Sequence, residues 1–240
     1  MIEQYDTLKG QFCVQCIKDG KVVDEYIDHN YIMSSARRSM AELFVGANQR
    51  RITKLMLGTA GYINGNVYSP ITEANGFSKE RTKLYAESLS QKSLGQVVSI
   101  RTGELISVNG NTYQAKEKGL KTYTLTETVL RDSFNLFDTP LYDYTVGVNS
   151  YNYSEYIANT NLATDSANND VRLEYDNNNT VTYTFEISPS AGNEQYTEDH
   201  YSLFNEACIY INNRIFCMKC FPAKLKDDST SLKIIWKIIF

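Results

Sequence analysis

Short runs in which apolar and polar residues alternate follow one another along most of the chain, a pattern typical of strands that bury one face. Two pairs of such runs are separated by a dipeptide that favours a tight type I′ turn. They are 12–17 and 22–27 around Asp19-Gly20, and 104–108 and 111–115 around Asn109-Gly110. The pattern therefore predicts two β-hairpins.

Three further runs predict strands with different surroundings. Ile52–Gly58 carries apolar residues on both faces, which indicates a central strand. Residues 122–129 and 181–187 alternate apolar residues with threonine and glutamate, which is typical of a half-buried strand. All three are expected to belong to antiparallel sheets.

The end of the chain predicts a hairpin and a final buried strand. Residues 207–211 and 214–221 flank Asn212-Asn213, and Pro222 is expected to end the second run. The last run places five large apolar residues on one face: Leu232, Ile234, Trp236, Ile238 and Phe240. A strand this apolar must pair within a sheet, because an unpaired one would recruit another chain.

One amphipathic helix is predicted over residues 35–46. Ser34 or Ser35 supplies the N-cap, and Gly46 lies just beyond the last turn. Its apolar residues fall on one face at helical spacing: Ala36, Met40, Leu43 and Phe44. A single short helix of this kind packs over a sheet and does not form a helical domain.

Composition agrees with a mainly β protein, because the chain holds 18 Tyr and 10 Phe but only 4 Pro. We expect an antiparallel β-sandwich-like scaffold built from both chain ends, 1–61 and 200–240, with the one packed helix. Residues 62–199 are expected to form a long, hairpin-rich central insertion. Its most loop-rich part is 149–193, which is dense in asparagine and tyrosine.

Charge and the terminal sequences limit the expected partners and location. A net charge of −4 and a pI near 5.3 argue against a general nucleic-acid binder, which needs a basic face. No apolar run reaches the roughly 18 to 20 residues of a membrane span, and no signal peptide is recognisable. Five cysteines, an odd number, suit folding in a reducing cytoplasm. We therefore expect no nucleic-acid partner and no membrane partner.

Two C-x-x-C pairs, Cys13/Cys16 and Cys217/Cys220, offer four thiols for a zinc site. Both pairs interrupt strand-like runs, however, and residues three apart in a strand point to opposite faces. The favoured interpretation is buried apolar cysteine. Zinc is the minority alternative, and no cofactor is expected.

Catalytic patterns are sparse, so we expect no enzyme and assign no catalytic residue. His29 and His200 each stand beside an aspartate but near no nucleophile motif. Gly58-Thr59-Ala60-Gly61 lacks the Lys-Ser/Thr of a phosphate loop. The acidic residues around Glu194–Asp199 leave open a glycan-degrading enzyme that uses two carboxylates.

Large aromatic residues supply the candidates for contact with other molecules. A tyrosine cluster within 142–156 offers a large area at low entropic cost, for a sugar or for a protein. The interface candidates are Tyr142, Tyr144, Tyr151, Tyr153, Tyr156 and Trp236. Strand packing is an equally good explanation of the tyrosine cluster.

The two ends of the chain resemble virion proteins of tailed bacteriophages. FNEACIYINNRIFCMKCFPAKLK at 204–226 and LKIIWKIIF at 232–240 are similar to a closing pattern F-x-E-A-x-L…N-x-R-L-F-x-K-x-F-P-A-K followed by W-x-I-x-F. The N-terminal hairpin, the helix up to Gly46 and the run 52–59 ending Leu-Gly-Thr are similar to the same group. That pattern does not require cysteine at positions 13, 16, 217 or 220.

The resemblance implies a non-enzymatic structural subunit of a virion, made in host cytoplasm and assembled with copies of itself and with other virion proteins. A tail, baseplate or fibre-attachment position is the first expectation. A receptor-binding or carbohydrate-binding module of the tail is the main alternative, and a neck, collar or head-decoration protein is the next.

Overall fold

The computed structural model describes residues 8–44, 52–137, 141–145, 171–175, 180–195, 200–211 and 214–239. The fold is mainly β, with antiparallel sheets arranged as a β-sandwich. The strands are β1 (Lys9–Lys18), β2 (Lys21–His29), β3 (Tyr31–Ile32), β4 (Ile52–Gly58), β5 (Tyr62–Ile63), β6 (Asn66–Pro70), β7 (Gln91–Lys92), β8 (Val97–Arg101), β9 (Leu105–Val108), β10 (Asn111–Ala115), β11 (Leu120–Thr124), β12 (Phe134–Phe137), β13 (Leu141–Thr145), β14 (Val171–Tyr175), β15 (Thr180–Ile187), β16 (Tyr201–Ile211), β17 (Arg214–Asp227) and β18 (Thr230–Ile239). The α-helices are α1 (Ser34–Phe44) and α2 (Glu127–Ser133), and two short 3₁₀ turns span Glu73–Asn75 and Ala86–Ser88.

Two five-stranded sheets form the sandwich. The first sheet has the order β14-β15-β18-β1-β2, and the second has the order β13-β4-β16-β17-β3. Apolar side chains from both sheets meet in one core, to which α1 contributes Ala36. The fold therefore buries the inner face of each sheet against the other.

The pairing of β1 with β18 shows how alternation in the sequence becomes a packed core. Phe12 lies directly opposite Trp236, and their ring centroids are 4.8 Å apart. Both side chains are fully buried and point into the sandwich. Because β18 also pairs with β15, the last strand of the described chain is central in its sheet.

The outer face of the second sheet is covered by the segment between β4 and β7. Met56, Cys208 and Met218 point outward from the sheet and pack in one apolar cluster with Phe77 and Leu84 of that segment. This second core explains why β4 and β17 are apolar on both faces.

Residues 91–137 form a small module with a core of its own. Its strands make two small sheets, β12-β10-β9-β7 and β11-β8, and α2 packs with them. The core residues are Val98, Ile100, Ile106, Val108, Ala115, Leu125, Leu130 and Phe134. The module contacts strand β5 of the separate β5-β6 hairpin, where the Tyr62 hydroxyl donates to the Gly103 carbonyl.

Most predicted strands are confirmed, the hairpins predicted around Asp19-Gly20 and Asn109-Gly110 are present, and β16 pairs with β17 as the third predicted hairpin requires. Asp19 and Asn109 have positive φ angles of 50° and 51°, as their tight turns require. The strand predicted over 52–58 is central, and the final apolar run pairs on both sides. The predicted helix is confirmed with slightly different bounds, Ser34–Phe44 in place of 35–46.

Two predictions about strand ends are wrong. The run 122–129 is a strand only as far as Thr124, because the Thr126 side chain accepts from Val129 N–H and starts helix α2. Pro222 does not end β17, which continues to Asp227. Pro222 lies where the β16–β17 register shifts between Phe204 and Glu206, and a bulge tolerates a residue without an N–H.

The scaffold takes strands from the predicted insertion as well as from the two ends. The first sheet includes β14 and β15, and the second includes β13, although all three lie within 62–199. The segment with a separate core is the shorter module 91–137. Most of the asparagine-rich stretch 149–193 before β15 lies outside the described residues.

Candidate functional site

A fully buried carboxylate, Glu206, organises one end of the second sheet. Glu206 lies in β16 on the outer face of the sheet, directly opposite Gly58 of β4. Its oxygens accept three backbone hydrogen bonds, from Tyr85 N–H at 2.7 Å, Ala86 N–H at 2.8 Å and Ala60 N–H at 3.3 Å. The Glu206 side chain therefore holds two loops that lie 146 and 120 residues before it in the sequence. We call this arrangement the Glu206 junction.

Glycine is required at two places beside Glu206. A Cβ atom at Gly58 would lie 2.5 Å from Glu206 Oε1, and one at Gly61 would lie 2.7 Å from Glu206 Cβ. Contacts this short force a neighbour to move. The Leu-Gly-Thr sequence that ends β4 thus leaves the space that the Glu206 side chain occupies.

Asn205, next to Glu206 in β16, also binds the first of these loops, residues 59–61. Its Oδ1 accepts from Gly61 N–H at 2.7 Å, and its Nδ2 donates to the Thr59 carbonyl at 3.4 Å. Asn205 is fully buried, so both bonds replace contacts with water. Residues 59–61 are consequently held by side chains of β16.

Burial raises the pKa of the Glu206 carboxyl to about 7, because the charged form loses its hydration. The three backbone N–H donors and the positive charge of Arg81 act in the opposite direction and favour the carboxylate. Arg81 itself lies over the Tyr85 ring, 3.6 Å from the ring centroid. Glu206 thus titrates near neutrality within a site formed mainly by main-chain donors.

A cleft of about 500 Å³ opens between the Glu206 junction and the module 91–137. Ala60 and Tyr85, both bonded to Glu206, line its sandwich side, and β8 and β9 line the other. Its polar groups include Lys92 and Glu104. The Glu104 carboxylate accepts from Arg101 N–H at 2.9 Å, so it serves the turn between β8 and β9.

Two buried lysines form ion pairs between the two sheets of the sandwich. Lys219 Nζ lies 2.6 Å from Asp28 Oδ2, and Lys224 Nζ lies 2.7 Å from Asp24 Oδ2. The lysines belong to β17 in the second sheet and the aspartates to β2 in the first. The lysine side chains are 3% and 5% exposed, whereas those of Asp28 and Asp24 are 41% and 51% exposed. We call these contacts the lysine–aspartate edge.

The four cysteines considered for zinc do not meet at one site. Cys16 and Cys217 belong to the core between the sheets, and Cys220 belongs to the core on the outer face of the second sheet. Cys13 faces outward from the first sheet, beside Glu25. Burial raises the pKa of the Cys13 and Cys16 thiols to about 11. Within the described ranges, no group of three or more His, Cys, Asp or Glu side chains is placed to hold a metal ion.

Trp236 is not available as an interface residue, because its side chain is fully buried between the sheets. The Asn30 carboxamide, oriented by this contact, accepts from the indole N–H. For Tyr142 and Tyr144 the structure describes only the backbone, which pairs with Leu57 and Leu55 of β4. Tyr151, Tyr153 and Tyr156 lie outside the described residues.

The remaining candidates for chemistry do not form one site in the part of the chain that is described. His29 is exposed at the end of β2, and His200 is exposed just before β16. Glu194 is exposed as well, while 196–199 lie outside the described residues. The glycan-degrading alternative therefore stays a prediction, because residues 196–199 are outside the described part of the chain.

The sequence did not predict the Glu206 junction, although the resemblance includes both of the segments that form it. Glu206 is the acidic residue of the F-x-E-A segment, and Gly58 is the glycine of Leu-Gly-Thr. Their contact joins residues about 150 positions apart, which no local pattern reveals. The signal that points to them is the resemblance, which contains both segments.

Comparison with known proteins gives no relative: no family model, no curated protein and no solved structure matches this chain. Neither helix in the described part of the chain has the length and apolarity needed to span a membrane.

Proposed function

We propose that the chain is a non-enzymatic structural component of a tailed-bacteriophage virion, placed in the tail, baseplate or fibre-attachment region. Its task is to hold neighbouring subunits together. Its partners are copies of itself and other virion proteins.

The observation that carries this proposal is the meeting of the two resembling segments at the Glu206 junction. Gly58 and Glu206 are direct cross-strand partners, and the carboxylate bonds only to main-chain N–H groups in the contacts described for it. Gly58 and Glu206, one from each resembling segment, thus act together on the conformation of loops. Such residues suit a structural subunit, whose function depends on shape.

Apolar side chains exposed on β2 also support a role in assembly. Val22, Val23 and Ile27 are 51%, 60% and 53% exposed, and β2 is the edge strand of the first sheet. An exposed edge strand with apolar side chains is suited to pairing with another chain.

Mass spectrometry of purified particles tests the proposal. We expect the chain in particles of the phage that encodes it, after density-gradient purification that removes soluble lysate proteins. A phage protein known to remain in the lysate serves as the control for carry-over. Abundant chain in the lysate together with its absence from particles would refute the proposal.

A variant of the edge strand separates assembly from folding. Val23→Lys places a charge on the exposed edge and is expected to reduce incorporation into particles while the purified chain stays folded. Leu120→Lys is the matched control, because Leu120 is 61% exposed but lies in the module. Equal incorporation of both variants would exclude β2 as the assembly surface.

A further inference from the structure

A third buried lysine, Lys226, has surroundings unlike those of Lys219 and Lys224. It lies at the end of β17 and is fully buried. Its Nζ donates to Asn193 Oδ1 at 2.7 Å, to the Pro189 carbonyl at 2.9 Å and to the Asp227 carbonyl at 3.1 Å. The three hydrogen bonds described for its ammonium group go to neutral oxygens, whereas Lys219 and Lys224 pair directly with carboxylates; the carboxylates of Asp227, Asp228 and Glu194 act on Lys226 through their charge.

The carboxamide of Asn193 is fixed on both sides. Asn193 is 6% exposed, and its Nδ2 donates to the Pro189 carbonyl at 2.7 Å and to Asp228 Oδ1 at 2.5 Å. The lysine amine therefore lies at the oxygen of the amide, and a carboxylate lies at its nitrogen. The three side chains form the set that amide exchange requires: an amine nucleophile, a carboxamide and a carboxylate on the leaving nitrogen.

We propose that Lys226 and Asn193 form an intramolecular isopeptide bond, with Asp228 carrying the proton to the leaving nitrogen.

The reaction is balanced without an oxidant or a further reactant. The Nζ lone pair of the neutral amine attacks Asn193 Cγ, and the new Nζ–Cγ bond forms as the Cγ–Nδ2 bond breaks. Nδ2 leaves as ammonia, taking the proton that Nζ loses. Asp228 accepts a hydrogen bond from Nδ2, and its charge also acts on the Lys226 amine, so its carboxylate is near both nitrogens and is placed at the leaving one to deliver the proton that Nζ gives up.

Two features of the surroundings favour the reaction. Burial lowers the pKa of the Lys226 amine to about 8, against the opposing charges of Asp227, Asp228 and Glu194, and this increases the neutral, nucleophilic fraction near physiological pH. Lys226 and Asn193 are both almost free of solvent contact, so water competes poorly for Cγ.

The bond would connect the two sheets of the sandwich covalently. Asn193 follows β15 of the first sheet, and Lys226 is in β17 of the second. Such a link resists separation of the sheets under load. The inference stands on the three side chains alone and does not depend on the proposed virion role.

Intact-mass measurement of the purified full-length chain tests the proposal. We expect a mass lower than that of the sequence by one ammonia. A tryptic digest should contain a branched peptide that joins 173–214 to 225–233, with no cleavage after Lys226. A wild-type chain of full mass would refute the proposal, and so would a lost ammonia without the branched peptide, since asparagine can also cyclise alone.

Variants identify the residues that react. Lys226→Arg should have full mass, and Lys219→Arg, a matched change at a buried lysine beside an aspartate, should keep the deficit. Asp228→Asn alters an exposed residue, so we expect the fold to stay intact, and it should slow bond formation by about 100-fold. Bond formation at the wild-type rate in Asp228→Asn would rule out its role as proton carrier, even if Lys226→Arg fails to fold.

Discussion

The second sheet buries charge in two different ways. At the Glu206 junction a carboxylate is surrounded by main-chain N–H groups, whereas at the lysine–aspartate edge each ammonium group meets a carboxylate that remains partly in water. Main-chain donors keep their positions only while the loops are folded, so Glu206 links the stability of the sheet to two loops. The lysine–aspartate edge connects the two sheets through aspartates that are partly exposed, so water can replace their carboxylates as partners of the lysines. We therefore expect larger effects at Glu206 than at the edge.

The largest effect is expected for Glu206→Ala, which removes the acceptor of three backbone hydrogen bonds and leaves a cavity. The free energy of unfolding should fall by about 4 kcal/mol, because buried donors without partners and lost packing both destabilise. Denaturant unfolding followed by tryptophan fluorescence measures this loss. Glu25→Ala, at an exposed glutamate of β2, should change stability by less than about 0.5 kcal/mol. Equal losses in the two variants would contradict the comparison.

The next effect is a dependence on pH, whose sign follows from the raised pKa. The folded chain binds a proton at Glu206 up to about pH 7, whereas the ordinary value is 4.5. The stability that this proton supplies is complete below pH 4.5, declines as pH rises to 7 and stays lost above it. We expect a change of up to about 3 kcal/mol across this window.

Glu206→Gln provides the matched measurement, because it keeps the size of the side chain and cannot titrate. The difference in unfolding free energy between wild type and Glu206→Gln should therefore shift in favour of the variant as pH rises from 4.5 to 7. Other titrating groups cancel in this difference. A difference that stays constant with pH would mean that Glu206 keeps its ordinary pKa.

A smaller effect is expected for Gly58→Ala, which places a Cβ atom against the Glu206 carboxylate. The cost should be about 2 kcal/mol, as for other insertions of a methyl group into a packed site. In a Glu206→Ala background the same change should cost much less, because the clashing atoms are gone. Unfolding curves of the four chains give the coupling energy. Independent, additive costs would show that Gly58 serves a purpose other than making room for Glu206.

What the sequence reveals depends on whether the determining contacts are local. The two hairpins were predictable because Asp19-Gly20 and Asn109-Gly110 supply the positive φ angles their turns need. The helix at 127–133 was missed because alternation continues through Thr126, although an N-cap threonine with Glu127 in the first turn is a helix-start signal. The Glu206 junction was beyond such reasoning, since Ala60 and Glu206 are 146 residues apart.

The smallest effect is expected at the lysine–aspartate edge. Asp28→Asn leaves the Lys219 ammonium group buried without a carboxylate, but water reaches this site because Asp28 is 41% exposed. The cost should therefore be about 1 kcal/mol, well below that of Glu206→Ala. Lys219→Met, which replaces the charge by an apolar chain of similar length, should cost no more than Asp28→Asn. Chemical unfolding at low and high salt measures both, and the cost of Asp28→Asn should shrink in high salt because screening weakens the pair. A loss as large as that of Glu206→Ala would mean that the edge buries its charges as completely as the Glu206 junction does.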